Sequence, residues 1–215
     1  PVAEQSGMIG ELTYALLRTA CLDAQQWPEG YGLSLNISPV QLRDQNMPSM
    51  IGEILAAFGF PPALLEVEVT ENAIVEDLEA ARSVIAALRS LGVRIALDDF
   101  GTGYAGLYHL RQLTFDKIKI DRSFISSMAT EPESTRIVNA ILALTRSLGL
   151  PTTAEGIETS ELVSSMVGRG CQFGQGYYFS KAVPASEVPA ICARWQQVEA
   201  AVLTNPDPSP PLSPD

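Results

Sequence analysis

The stretch Leu64-Leu65-Glu66-Val67-Glu68-Val69-Thr70 (LLEVEVT, 64–70) decides the fold. Successive side chains of a strand point to opposite faces, so Leu65, Val67 and Val69 share one face while Glu66, Glu68 and Thr70 share the other. The same alternation recurs in LSLNIS (33–38), where Leu33, Leu35 and Ile37 oppose Ser34, Asn36 and Ser38. In RIALDD (94–99) Ile95 and Leu97 oppose Ala96 and Asp98; in FDKIKID (115–121) Ile118 and Ile120 oppose Lys117, Lys119 and Asp121. Two further strands are expected at TTAEG (152–156) and around CQFGQGYY (171–178), with helical patterns at 8–26, 40–58, 75–91, 105–112, 132–148, 159–168 and 186–201.

Strand, helix, strand repeats without hairpin signals imply parallel pairing and right-handed crossovers. An open parallel sheet covered on both sides reads as nearly continuous apolar runs. A polar second face repeated over four strands suits a barrel interior instead, where strand ends converge on one site at the C-terminal mouth. The expected fold class is therefore α/β, with a parallel barrel favoured over an open doubly wound sheet. The chain of 215 residues, 46% apolar and 18% charged, is long enough for one such domain over 1–203. The proline-rich run TNPDPSPPLSPD (204–215) reads as an unstructured tail.

A net charge of −11 argues against broad binding to DNA or anionic lipid, which Lys and Arg carry. A polyanionic ligand would have to be met by metal ions or a few placed cations. Cys21, Cys171 and Cys192 are far apart with no CxxC pair, which fits a reducing, cytoplasmic setting. No secretory signal opens the chain and no run is long enough to span a membrane. Because the first residue is Pro1, a piece of a longer polypeptide is expected, whose full length could be membrane-anchored.

IALDDFGTG (95–103) ends an apolar run with two adjacent carboxylates that repel each other and call for a compensating cation. Near the strand ends stand Asn36, Glu68, Glu71, Asp98, Asp99, Lys119, Glu155, Glu158 and Gln175: oxygen donors with one ammonium among them. Hard ions such as Mg²⁺ or Mn²⁺ take these oxygens, whereas His109 alone argues against zinc. Gly101 and Gly103 suit a tight loop over the site.

Taken in order, NIS (36–38), EVEVTE (66–71), LDDFGTGY (97–104), KIKIDRSF (117–124), AEGIE (154–158) and QGYYFSKAVP (175–184) resemble the EAL-type domain, a family of bacterial cyclic di-GMP phosphodiesterases. The resemblance implies a modified (β/α)8 barrel and two-metal cleavage of one phosphodiester of cyclic di-GMP to linear pGpG, with Mg²⁺ or Mn²⁺. By position it implies Asn36, Glu68 and Asp98 as ligands of one ion and Asp98 with Asp99 as ligands of the second. Lys119 would position the attacking water, Glu155 would act as general base, Glu158 and Gln175 would orient metals or substrate, and Glu71 would brace the loop after Asp99. It further implies a homodimer, and sensory or GGDEF-type domains fused upstream in a larger signalling protein.

The chain departs from the family pattern in two places. No Glu-Ala-Leu motif precedes Asn36, and Pro1-Val2-Ala3-Glu4 resembles the segment after that strand, so the first two barrel strands are expected to be missing. Ala105 and Gly106 stand where active relatives usually carry two serines. These departures support an alternative, an impaired EAL-like domain serving as a cyclic di-GMP receptor or a protein scaffold. A second rival is a dinucleotide fold: GTGYAG (101–106) spells G-x-G-x-x-G, with Asp121 twenty residues beyond Gly101.

Overall fold

A computed structural model describes residues 2–103 and 107–204, with side chains over 2–103 and 109–196. Its six strands are β1 (Leu33–Asn36), β2 (Leu65–Thr70), β3 (Arg94–Phe100), β4 (Lys117–Ile120), β5 (Thr152–Glu155) and β6 (Phe173–Gln175). They form one sheet in the order β1-β2-β3-β4-β5-β6, and every neighbouring pair is parallel. A doubly wound fold reverses its strand order partway across. Here each crossover steps the same way, so the sheet is six consecutive strands of a barrel wall, left open between β1 and β6. The dinucleotide rival is excluded on this ground.

The helices are α1 (Val2–Gln5), α2 (Ile9–Ala24), α3 (Met47–Phe58), α4 (Glu71–Glu76), α5 (Leu78–Ser90), α6 (Leu107–Gln112), α7 (Arg122–Ser127), α8 (Pro132–Leu148), α9 (Ser160–Gly168) and α10 (Val188–Thr204). The apolar strand face, with Leu65, Val67, Ile95, Leu97, Ile118 and Ile120 all fully buried, forms one core with Ile51 and Leu55 of α3, Val84 and Leu88 of α5, and Val138 and Leu142 of α8. Burial of this kind, at about 25 cal/mol per Å² of apolar surface, is the main favourable term in the fold.

Several boundaries differ from those expected, each for a local reason. The pattern over 75–91 is two helices, because Asp77 leaves helical geometry (φ −155°, ψ 87°) and its side chain accepts the Ala80 N–H, capping α5. The pattern over 40–58 is a short 3₁₀ turn, Gln41–Arg43, followed by α3 with Pro48 in its first turn. Helix α7 was not expected; Asp121 ends the strand pattern by accepting the Ser123 N–H and starts a helix at Arg122. Thr204, expected to open the tail, is the last residue of α10, and 205–215 lie outside the described residues, as do Ala105 and Gly106. All three cysteines are free, with Cys21 and Cys192 buried. No helix among the described residues is long and apolar enough to cross a membrane.

Ile118 has no exposed surface and lies at the middle of the sheet. Ile118→Ala should cost about 3 kcal/mol in urea-induced unfolding with little change in denaturant slope.

Candidate active site

The two adjacent aspartates of IALDDFGTG sit on a β-bulge. In the β3–β4 register Leu97 pairs with Ile118 and Phe100 with Ile120, so Asp98 and Asp99 together oppose Lys119. The strand, expected over 94–99, runs on to Phe100. Asp99 has φ +55°, the one positive value for a non-glycine residue among those described. In a regular strand the two side chains would face opposite ways. The bulge instead brings a carboxylate oxygen from each, with one from Glu155, to within 4.8 Å of one another.

Lys119 occupies the centre. Its Nζ lies 2.8 Å from Glu68 Oε2, 3.2 Å from Asp98 Oδ1 and 2.5 Å from Glu155 Oε1, and its side chain is 4% exposed. The four residues come from β2, β3, β4 and β5, so one ammonium ties four strands at the mouth. Among the described residues its ion-pair partners are Glu68, Asp98 and Glu155, and Asp121, on the same strand face, is not one of them. One strand layer lower, Lys117 Nζ pairs with Glu66 at 2.7 Å and sits 4.8 Å from the centre of the Phe173 ring.

Glu71 opens α4 yet does not serve its own helix. Its Oε2 accepts the N–H of Gly101 at 3.1 Å and of Gly103 at 3.3 Å. Those are donors that a bound pyrophosphate would have needed, a second reason against the dinucleotide reading. Gly101 has φ +99°, and a Cβ there would meet Phe124 and Ile141 at 3.1 and 3.2 Å, so the turn requires glycine.

Charge is crowded at this mouth. Burial, reinforced by Asp98 and Asp121, raises the Asp99 pKa above the usual carboxylate range; Lys119 opposes this only in part. Burial also raises Glu155, against the pull of Lys119. For Lys119 burial favours the neutral amine, but hydrogen bonds and charges from Glu155 and Glu68 outweigh it and hold the ammonium above the ordinary lysine range. For Asp121 burial is outweighed by hydrogen bonds from Ser123, and it is held low.

Asn36 lies beside Glu68 in the β1–β2 register, exposed on the open edge strand. Glu158 and Gln175 line a cavity shared with Arg122, Glu155 and Tyr177. His109 belongs to α6. Two residues of the mouth escaped the sequence reading. Asp121, whose strand parity with Lys117 and Lys119 was visible, adds negative charge beside Asp99; Arg122 had no signal once α7 went unseen. The clustered donors are all hard oxygens, crowded and buried enough to raise Asp99 and Glu155, and they fit a hard divalent ion such as Mg²⁺ or Mn²⁺.

Six sequential parallel strands with carboxylates gathered at their C-terminal ends define a barrel-type α/β domain with an acidic mouth. The EAL domain family matches residues 1–182, and the chain belongs to that family. A signalling protein of Caulobacter vibrioides is 42% identical over 184 residues, 86% of this chain and 23% of that one. The structure of the MucR phosphodiesterase of Pseudomonas aeruginosa in complex with cyclic di-GMP superposes with a TM-score of 0.83 at 33% identity, covering 87% of this chain and 78% of that one. The BlrP1 complex of Klebsiella pneumoniae with calcium and cyclic di-GMP gives 0.74 at 30% identity, covering 80% and 44%. The chain spans about a quarter of the length of the curated relatives it matches. It is thus related to cyclic di-GMP phosphodiesterases that are larger multidomain proteins.

Glu71→Ala should leave the Gly101 and Gly103 amides without their acceptor, lowering stability by about 1–2 kcal/mol and speeding hydrogen exchange at those two loop amides before those of β3. The pH dependence follows from the raised carboxyls. A carboxyl whose pKa is higher folded than unfolded contributes stability below the ordinary carboxylate range and loses it as pH rises through the folded value, so Asp99 and Glu155 weigh against the fold at neutral pH. Asp121 acts oppositely, contributing above the ordinary range and losing that contribution only as pH falls through its lowered value. In chelator, Tm should therefore rise as pH is lowered from neutrality toward the ordinary carboxylate range, and Mn²⁺ should flatten the curve. A flat profile in chelator would show that the cluster carries no such strain.

Proposed function

We propose that this domain hydrolyses one phosphodiester bond of cyclic di-GMP to give linear pGpG, as part of a larger signalling protein. The observation that carries the reading is the bulge that brings Asp98, Asp99 and Glu155 within 4.8 Å beside a buried ammonium. Relatives solved with cyclic di-GMP, one of them with calcium as well, support extending that ligand to this chain. Two divalent ions, Mg²⁺ or Mn²⁺, supply charge neutralisation at the phosphate and lower the pKa of water when bound. Asp98 and Asp99 hold them in this reading, with Glu68 and Asn36 completing the set.

The chain's own groups do the rest. Lys119, held as an ammonium, is a hydrogen-bond donor that fixes the attacking water. Glu155, raised by burial, is nearer neutrality than an ordinary carboxylate and so better matched to accept that water's proton. Glu158 and Gln175 orient the ligand from the cavity wall, and Glu71 holds the loop. The protein in this reading is cytoplasmic, homodimeric and joined to sensory or GGDEF-type domains upstream.

The rival reading, a receptor that binds without turnover, draws on the exposure of Asn36 at an open edge. The full-length protein should form pGpG from cyclic di-GMP with Mg²⁺ or Mn²⁺, detected by chromatography, and Asp98→Asn should reduce the rate on the order of a hundredfold or more. Saturable binding with no product would establish the receptor, and neither would leave the scaffold.

A further inference from the structure

Cyclic di-GMP carries two phosphates, and the reading above, on which this inference rests, neutralises only the one that is cleaved. The second enters a mouth rich in carboxylates on a chain of net charge −11. Lys119 is already engaged by Glu68, Asp98 and Glu155. Arg122 lines the adjoining cavity with Glu155, Glu158, Gln175 and Tyr177. Among the described residues its guanidinium makes no ion pair or hydrogen bond, although two carboxylates line the same cavity.

The placement of Arg122 is built into the fold. It is the first residue of α7, and the backbone after Glu155 packs directly on it: a Cβ at Gly156 would lie 2.6 Å from Arg122 Cβ, and Gly156 has φ +70°. Only glycine permits that approach, which fixes the root of Arg122 beside Glu155 and Glu158. Tyr177, which lines the same cavity, is 65% exposed, with Lys181 Nζ 6.0 Å from its ring centre. A planar guanidinium suits bidentate pairing with phosphate oxygens, and an unpaired one has no partner to surrender when the ligand arrives.

We propose that Arg122 is a substrate-positioning residue that pairs with the phosphate that is not cleaved. It selects for a cyclic dinucleotide over a linear one bearing a single phosphodiester. Because Arg122 is exposed and unpaired, its replacement should not disturb folding.

The test compares wild type, Arg122→Ala and Arg122→Lys in the full-length protein, with binding measured in calcium so that turnover is not required. Two probes are used: cyclic di-GMP, and GpG, a linear dinucleotide with one phosphodiester and no terminal phosphate. Arg122→Ala should weaken cyclic di-GMP binding about 20-fold and leave GpG binding within about twofold. Arg122→Lys, which keeps the charge but not the fork, should recover part of the loss. With turnover, the effect should fall on KM and not on kcat, while calcium affinity stays unchanged. Equal losses for both ligands, or no loss for cyclic di-GMP, would overturn the assignment while leaving the phosphodiesterase reading intact. Failure of the wild type to bind cyclic di-GMP at all would instead sink that reading and this inference with it.

Discussion

One buried ammonium organises the inner face of this sheet. Lys119 on β4 reaches carboxylates on β2, β3 and β5, and no other side chain among the described residues is ion-paired to so many strands. Burying an ion costs several kcal/mol unless its partners are close and well placed, and removing one partner of such a set costs more than the pair contributed. The strands are therefore held in register at the mouth by a contact that cannot be loosened piecemeal. Glu68, Asp98, Asp99 and Glu155 still outnumber the single ammonium, so Lys119 cannot neutralise the mouth by itself. Protons or a cation must do the rest, which is the direction in which burial pushes Asp99 and Glu155.

That excess fixes what the backbone has to do. A non-glycine residue at φ +55° costs on the order of 1–3 kcal/mol and persists only where its surroundings over-determine it. Glu71 supplies one constraint by taking the Gly101 and Gly103 amides, and the Asp121 cap fixes the start of α7 beside Asp99. The bulge, the loop and the start of α7 form one connected unit behind the carboxylates. A strained turn that presents two acidic groups on one face has an evident use where oxygen ligands must converge, and none in a core.

Most of the architecture was legible because it rests on periodicity. Polar residues at every second position of β1 to β4, Ala96 excepted, marked the inner face, and the strand centres fall where the alternation placed them. The bulge was not legible, since period-two reasoning puts Asp98 and Asp99 on opposite faces, and only a register count against β4 reveals that both oppose Lys119. The break at Asp77 and the start of α7 at Arg122 escaped for a shared reason: each depends on one aspartate folding back on a nearby amide, a choice that composition does not announce. Arg122 was lost with α7, because a residue just beyond a strand read as ending at Asp121 carries no hint that it lines a cavity.

The two ion-paired layers of the inner face separate scaffold from site. In the lower layer Lys117 meets Glu66, one charge against one, with the Phe173 ring beside the ammonium. That arrangement is balanced and needs nothing further. Two residues higher, the same strands carry Lys119 and Glu68, but β3 adds two carboxylates through its bulge and β5 adds a third. If the polar interior served only to fill an incomplete barrel, both layers would be neutral. The imbalance appears only at the C-terminal ends of the strands, where barrel folds place their chemistry. The unpaired Arg122 borders that same layer. Excess negative charge in one layer and a free guanidinium at its rim are what a ligand bringing both cations and phosphates would require.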